Sequence, residues 1–170
     1  YDPAGNFNYN PNWGQATIAT VESIAGNDVW KLAGLNYQGI DFVEFGDPAL
    51  DVSGYDTLHI DYWSADATTL NVSLISPGPL ETAYNIPITT GSWQSVDIPL
   101  SAFAGVDLTN VIQMKFDDNG TGEAATFFID NIYFYTADDV VSRNIVPNSP
   151  TPYTPSSSGI SRPISSLRAA

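Results

Sequence analysis

The stretch Ala124-Ala125-Thr126-Phe127-Phe128-Ile129-Asp130-Asn131-Ile132-Tyr133-Phe134-Tyr135 constrains the fold more than any other. Its β-branched and aromatic residues suit a pleated, buried surface, so it reads as a central strand. Both alternating sets are apolar: Phe128, Ile132 and Phe134 are expected on one side, and Phe127, Ile129 and Tyr133 on the other. Asp130 is the exception, since a carboxylate among aromatics must be paired, hydrogen-bonded or metal-bound to stay charged. A strand of this kind needs neighbours on both edges, and the rest of the chain supplies them.

Alternating or apolar runs recur near 16–22, 28–33, 38–45, 56–63, 69–75, 82–88, 93–98, 110–117 and 125–135. Between them stand turn signals such as Gly26-Asn27-Asp28, Gly46-Asp47-Pro48, Ser76-Pro77-Gly78-Pro79, Thr90-Gly91-Ser92 and Asp118-Asn119-Gly120. This spacing predicts an all-β protein, an antiparallel two-sheet β-sandwich. The sole helical candidate is a single turn around Leu100-Ser101-Ala102-Phe103. Residues 1–139 form the module, and 140–170 a Pro/Ser-rich basic tail expected to be extended and non-globular.

Charge narrows the partners. The chain carries 19 acids against 5 bases, a net of -14, which argues against nucleic acid or an anionic membrane. A neutral ligand or a cation fits better. No run approaches the roughly 20 apolar residues of a membrane span. Without cysteine there is neither a disulfide framework nor thiol chemistry. The chain starts at Tyr1 and not at Met, which raises the expectation of a processed product.

Strand 56–63 is the most legible as a site. Leu58, Ile60 and Tyr62 alternate with Thr57, His59, Asp61 and Trp63, so one face enters the core while His59, Asp61 and Trp63 form a row on the other. In 110–117 the alternation sets Gln113 and Lys115 on one face, and these are expected to join that row, with Asn36, Gln38, Glu81 and Tyr84 as further candidates. Sugars suit such a surface, because their C–H faces stack on aromatic rings while their hydroxyls pair with acids, amides, His and Lys.

The segments Asp61-Tyr62-Trp63, Asp66-Ala67-Thr68-Thr69, Leu74-Ile75-Ser76-Pro77-Gly78-Pro79 with Glu81-Thr82-Ala83-Tyr84, Gly91-Ser92-Trp93-Gln94-Ser95-Val96-Asp97-Ile98-Pro99-Leu100 and Asp130-Asn131-Ile132-Tyr133-Phe134-Tyr135, in that order, resemble the β-sandwich carbohydrate-binding modules appended to secreted polysaccharide-degrading enzymes and glycan-binding proteins, particularly of marine Bacteroidetes. The resemblance spans residues 1–136. It implies a jelly roll, an extracellular or cell-surface location, binding of polysaccharide without cleavage, and often a structural Ca2+ ion. In similar modules the acid of the last-strand motif, here Asp130, joins groups from the N-terminal region around that ion, and Asp2 and Glu22 are the companions expected here.

Catalysis finds little support. Gly39-Ile40-Asp41-Phe42-Val43-Glu44 resembles the Glu-x-Asp-x-x-Glu strand of laminarinase-like hydrolases, but Gly39 stands where the nucleophile would be. A retaining hydrolase needs two carboxyls about 5–5.5 Å apart, so the motif is empty. His59 is the only histidine, which excludes a His-based metal cluster. Asp117-Asp118-Asn119-Gly120-Thr121-Gly122-Glu123 lacks EF-hand spacing and reads as a turn. An alternative role is that of a structural or assembly subunit: the arginines Arg143, Arg162 and Arg168 and the apolar groups of 140–170 would dock on a neighbouring copy, residues 140–146 by adding an edge strand.

Overall fold

The computed structural model describes residues 7–136. Nine strands follow in order: β1 (Ile18–Ile24), β2 (Asn27–Ala33), β3 (Tyr37–Asp41), β4 (Thr57–Ser64), β5 (Leu70–Ser76), β6 (Leu80–Ile86), β7 (Gln94–Pro99), β8 (Gln113–Asp117) and β9 (Phe127–Tyr135). A single 3₁₀ turn, Leu100–Ala102, stands where the helical candidate was expected. The strands pair antiparallel in two sheets, a five-stranded one ordered β1-β2-β9-β4-β7 and a four-stranded one ordered β3-β8-β5-β6. The proposed tail, 140–170, and Asp2 lie outside the described residues.

The two sheets close on one apolar core. β4 alternates as its sequence requires: Leu58, Ile60, Tyr62 and Ser64 are buried, and Thr57, His59, Asp61 and Trp63 are half-buried on the outer face. Opposite them, Met114 and Phe116 of β8 and Leu70, Val72 and Leu74 of β5 fill the interior. Strict period two is what lets each strand bury one set of side chains and leave the other for a surface.

β9 departs from the expected face assignment. His59 pairs with Tyr133 but Asp61 with Asp130, so β9 holds one more residue than β4 across this interval. This is a β-bulge, and Asn131 in it has φ 48°. The extra residue switches the alternation, so Phe127 and Ile129 before it, and Ile132 and Phe134 after it, all pack toward the core. Phe128, Asp130, Tyr133 and Tyr135 are partly exposed on the outer side, and Asn131 in the bulge is exposed. The sequence-based grouping of Phe128 with Ile132 and Phe134 is thereby corrected, as is that of Tyr133 with Phe127 and Ile129.

The N-terminal segment bonds along the free edge of β3. Asn8 N–H donates to Asp41 O at 2.9 Å and Asp41 N–H to Asn8 O at 2.8 Å. Asn36 Oδ1 accepts from Ala16 N–H, Thr17 N–H and Thr17 Oγ1 at 2.9 to 3.1 Å. The segment is thus fixed at both ends, with Phe7 in the core.

Candidate functional site

β4 and β8 belong to different sheets, so His59, Asp61 and Trp63 do not share a surface with Gln113 and Lys115. Period two tells which face a residue takes within its own strand, but not which sheet the strand joins. Two outer faces therefore have to be considered.

On the five-stranded sheet, β4 lies between β7 and β9, and its outward side chains bind those neighbours. His59 Nδ1 lies 2.6 Å from Asp97 Oδ1 on β7, and Nε2 3.2 Å from Asp61 Oδ1. The imidazole stacks on Tyr133 of β9, with centroids 4.6 Å apart. Burial of the ring disfavours its charge, but hydrogen bonds and attraction from Asp61 and Asp97 outweigh this and raise the His59 pKa to about 9. Asp61 also accepts from Ser95 Oγ at 2.5 Å and from Asn131 Nδ2 at 2.7 Å. Burial pushes its carboxyl up, yet His59, Asn131 and Ser95 together hold it below the ordinary value. Trp63 meets Phe128 edge-on at 5.6 Å, and Lys31 lies over Phe128 while pairing with Glu22 at 2.7 Å. These groups are engaged chiefly with one another.

The outer face of the four-stranded sheet is differently built. Cross-strand pairing brings Asp41 and Gln113, Gly39 and Lys115, and Tyr37 and Asp117 side by side, and continues through Ser73 and Asn71 of β5 to Ala83 and Asn85 of β6. An open hollow of about 740 Å³ lies on it, lined by Trp13, Tyr37, Ile75, Gln113, Lys115 and Asp117 among others. The Trp13 ring is laid against the sheet over Gly39. Tyr37 Oη fixes the backbone there by donating to Trp13 O at 2.7 Å.

The polar groups of this face form a ladder. Asn85 Nδ2 donates to Asn71 Oδ1 at 2.9 Å, and Asn71 Nδ2 to Asp117 Oδ1 at 3.0 Å. Lys115 Nζ reaches Glu81 Oε1 at 2.5 Å and Asp117 Oδ2 at 3.6 Å. Burial lowers the Lys115 pKa, but Glu81 and Asp117 more than compensate, so the ammonium is held above its ordinary value. Glu81 is lowered: burial pushes it up, and Lys115, with lesser help from the nearby Ser73 hydroxyl, outweighs that. Ser73 Oγ nevertheless meets no partner at hydrogen-bond geometry, although it is fully buried beneath this face.

The remaining expected residues divide between these surroundings. Asn36 lines the hollow and Glu81 pairs with Lys115, so Asn36, Glu81, Gln113 and Lys115 do come together. Gln38 does not, because it lies across from Phe116 and is fully buried, its amide turned to Tyr9 O, Gly39 O and Gln15. Tyr84 lies across from Val72 and packs against the core. Trp13, Tyr37 and Asp117 are missing from the sequence-derived set. An aromatic in a loop-like segment gives no register, so only an interior glycine in β3 hinted that something lies close to that strand.

Two acids expected around a calcium ion have other partners. Asp130 accepts from Asn27 Nδ2 at 2.7 Å and from Asn131 N–H at 2.9 Å, while Glu22 pairs with Lys31. Among the described residues no three His, Asp or Glu side chains converge as metal ligands. The pseudo-hydrolase motif is structural: Asp41 Oδ1 accepts from Val43 and Glu44 N–H, and its Oδ2 from Gln113. Asp118 likewise accepts from Gly120 and Gly122 N–H, closing the turn read from the sequence.

A two-sheet jelly-roll sandwich of this kind is the fold of carbohydrate-binding modules. The model of carbohydrate binding domain 30 matches residues 10–136, and the chain belongs to that family of non-catalytic carbohydrate-binding modules. Solved structures agree on the fold. The family 11 carbohydrate-binding module from Clostridium thermocellum in complex with a β-1,3-1,4-mixed-linked tetrasaccharide superposes with a TM-score of 0.54 at 19% identity, over 71% of this chain and 83% of that one. The family 30 module of a cellulosomal cellulase of Clostridium thermocellum gives 0.54 at 18%, over 71% and 83%. An exo-β-agarase gives 0.57 at 19%, over 75% of this chain but 22% of its own length. A search of curated proteins returns no match.

Proposed function

We propose that the outer face of the four-stranded sheet binds a neutral polysaccharide, with Trp13 as its apolar wall and Asn36, Glu81, Gln113, Lys115 and Asp117 as its polar contacts. The observation that carries this reading is the Trp13 ring held against the sheet beside that polar row. The C–H face of a sugar packs on such a ring, and its hydroxyls donate to carboxylates and accept from ammonium and amide groups. Lys115 is already neutralised by Glu81 and Asp117, and the chain carries -14 overall, so an anionic glycan meets net repulsion. The mixed-linked tetrasaccharide of the family 11 module makes a soluble mixed-linkage β-glucan the first probe.

Affinity electrophoresis against that β-glucan, agar and alginate tests the reading. A neutral glycan is expected to retard the protein and alginate not to. Trp13→Ala should abolish retardation while Trp63→Ala keeps it; the reverse pattern returns the site to His59, Asp61 and Trp63.

Three further proposals go with this one. Secretion to the cell exterior follows from the role of such modules on polysaccharide-degrading enzymes. A structural calcium ion at Asp130 rests on the acid of the last-strand motif; Asp130 would hold it only with main-chain carbonyls or with Asp2. A chelator should then lower Tm, and an unchanged Tm in protein that had contained calcium contradicts it. Self-association through residues 140–170 rests on their sequence, and truncation after Asp139 should abolish any assembly seen in solution.

A further inference from the structure

Eleven of the thirteen glycines have described surroundings, and Gly39 differs from the other ten. Most of the others have positive φ, where the lack of Cβ relieves the backbone. Gly39 has no such need, since its φ is not in that region and it sits mid-strand in β3. A glycine in mid-strand is otherwise less favourable than alanine, because it loses more backbone freedom on folding. Gly54 also has ordinary φ, but nothing lies within 4 Å of a Cβ built on it. A Cβ on Gly39 would lie 2.0 Å from Trp13 Cζ3, 2.3 Å from Cη2 and 3.0 Å from Cε3.

These are clashes with the body of a rigid ring. Relief by moving the segment is obstructed, because residues 8 and 16–17 are bonded to Asp41 and Asn36 on either side, and Tyr37 holds Trp13 O. The ring would have to swing off the sheet. Lys115, directly across from Gly39, would then lose the aromatic wall beside it. We infer that Gly39 is a positioning residue of the glycan site: by lacking a side chain it seats Trp13 on the sheet and so sets the wall against which the sugar packs. The hydrolase-like motif fails at the position that makes binding possible. This inference rests on the function proposed above.

The test is a double-mutant cycle on the full chain with Gly39→Ala and Trp13→Ala, read two ways. In Tm, without glycan, G39A is expected to be destabilising in the wild type and nearly harmless in the W13A background, where the space for Cβ has been opened. In calorimetric titration with soluble mixed-linkage β-glucan, G39A is expected to lose at least tenfold in affinity, and the double variant to bind no worse than W13A. Should G39A alone fail to fold, recovery of the fold in G39A/W13A reports the same seat. An equal Tm penalty in both backgrounds overturns the inference, as does wild-type affinity in G39A. If the wild type binds neither this glucan nor agar, the proposed function fails, and loss of the Tm penalty in W13A still supports the seat.

Discussion

Among single residues, the contrast is between side chains spent on the fold and side chains that we propose meet a ligand. His59 is the clearest of the first kind. Its raised pKa means that the ion pairs with Asp61 and Asp97 stabilise the folded chain fully below about pH 6.5, the ordinary histidine value, and that this is lost as pH rises through about 9. His59→Phe keeps a ring for Tyr133 but removes the charge. The variant should melt lower than wild type by on the order of 5 °C at pH 6, and the gap should narrow toward pH 10. A gap independent of pH would mean that the ring's packing and not its charge matters. Sequence could show that His59, Asp61 and Trp63 share a face, and they do; it could not show that Asp97, Ser95 and Asn131 would take up their hydrogen-bonding capacity. Gln38 shows the same limit, because an amide at a polar-looking position was buried by a segment remote in sequence.

At the scale of elements, all nine strands were legible, since alternation and turn residues are local signals. Their pairing was not, because it depends on contacts between distant runs. The error in β9 has one cause, a single inserted residue. Asn131 meets its demands by adopting φ 48° and by donating to Asp61 from β9 to β4. A β-branched residue is strained at that φ, so Asn131→Val should lower stability by roughly 2 kcal/mol or more in urea denaturation. Asn131→Gly keeps the conformation and loses only the bond, a deficit of about 1 kcal/mol. Equal losses would mean that the bulge is not held by its backbone conformation. The turn after β8 follows the same logic: Asp118→Ala removes the acceptor for Gly120 and Gly122 and should be destabilising by about 1–2 kcal/mol.

The whole molecule offers two outer faces, one that ties its own strands together and one that we propose meets the glycan. The five-stranded face binds its own strands together through His59, Asp61 and their partners. The four-stranded face carries the seated Trp13, the Lys115–Glu81 pair and the Asn85-Asn71-Asp117 ladder. Composition pointed to a neutral ligand or a cation and alternation foretold a sandwich, but which outward residues share a surface depended on which strands share a sheet. Titration of isotopically labelled protein with soluble mixed-linkage β-glucan, followed by backbone amide chemical shifts, tests the choice of face most directly. Shifts are expected to cluster at residue 13, at 36–41 and at 113–118; a cluster at 59–63, 95–97 and 128–133 with the first set unmoved would move the site to the five-stranded face.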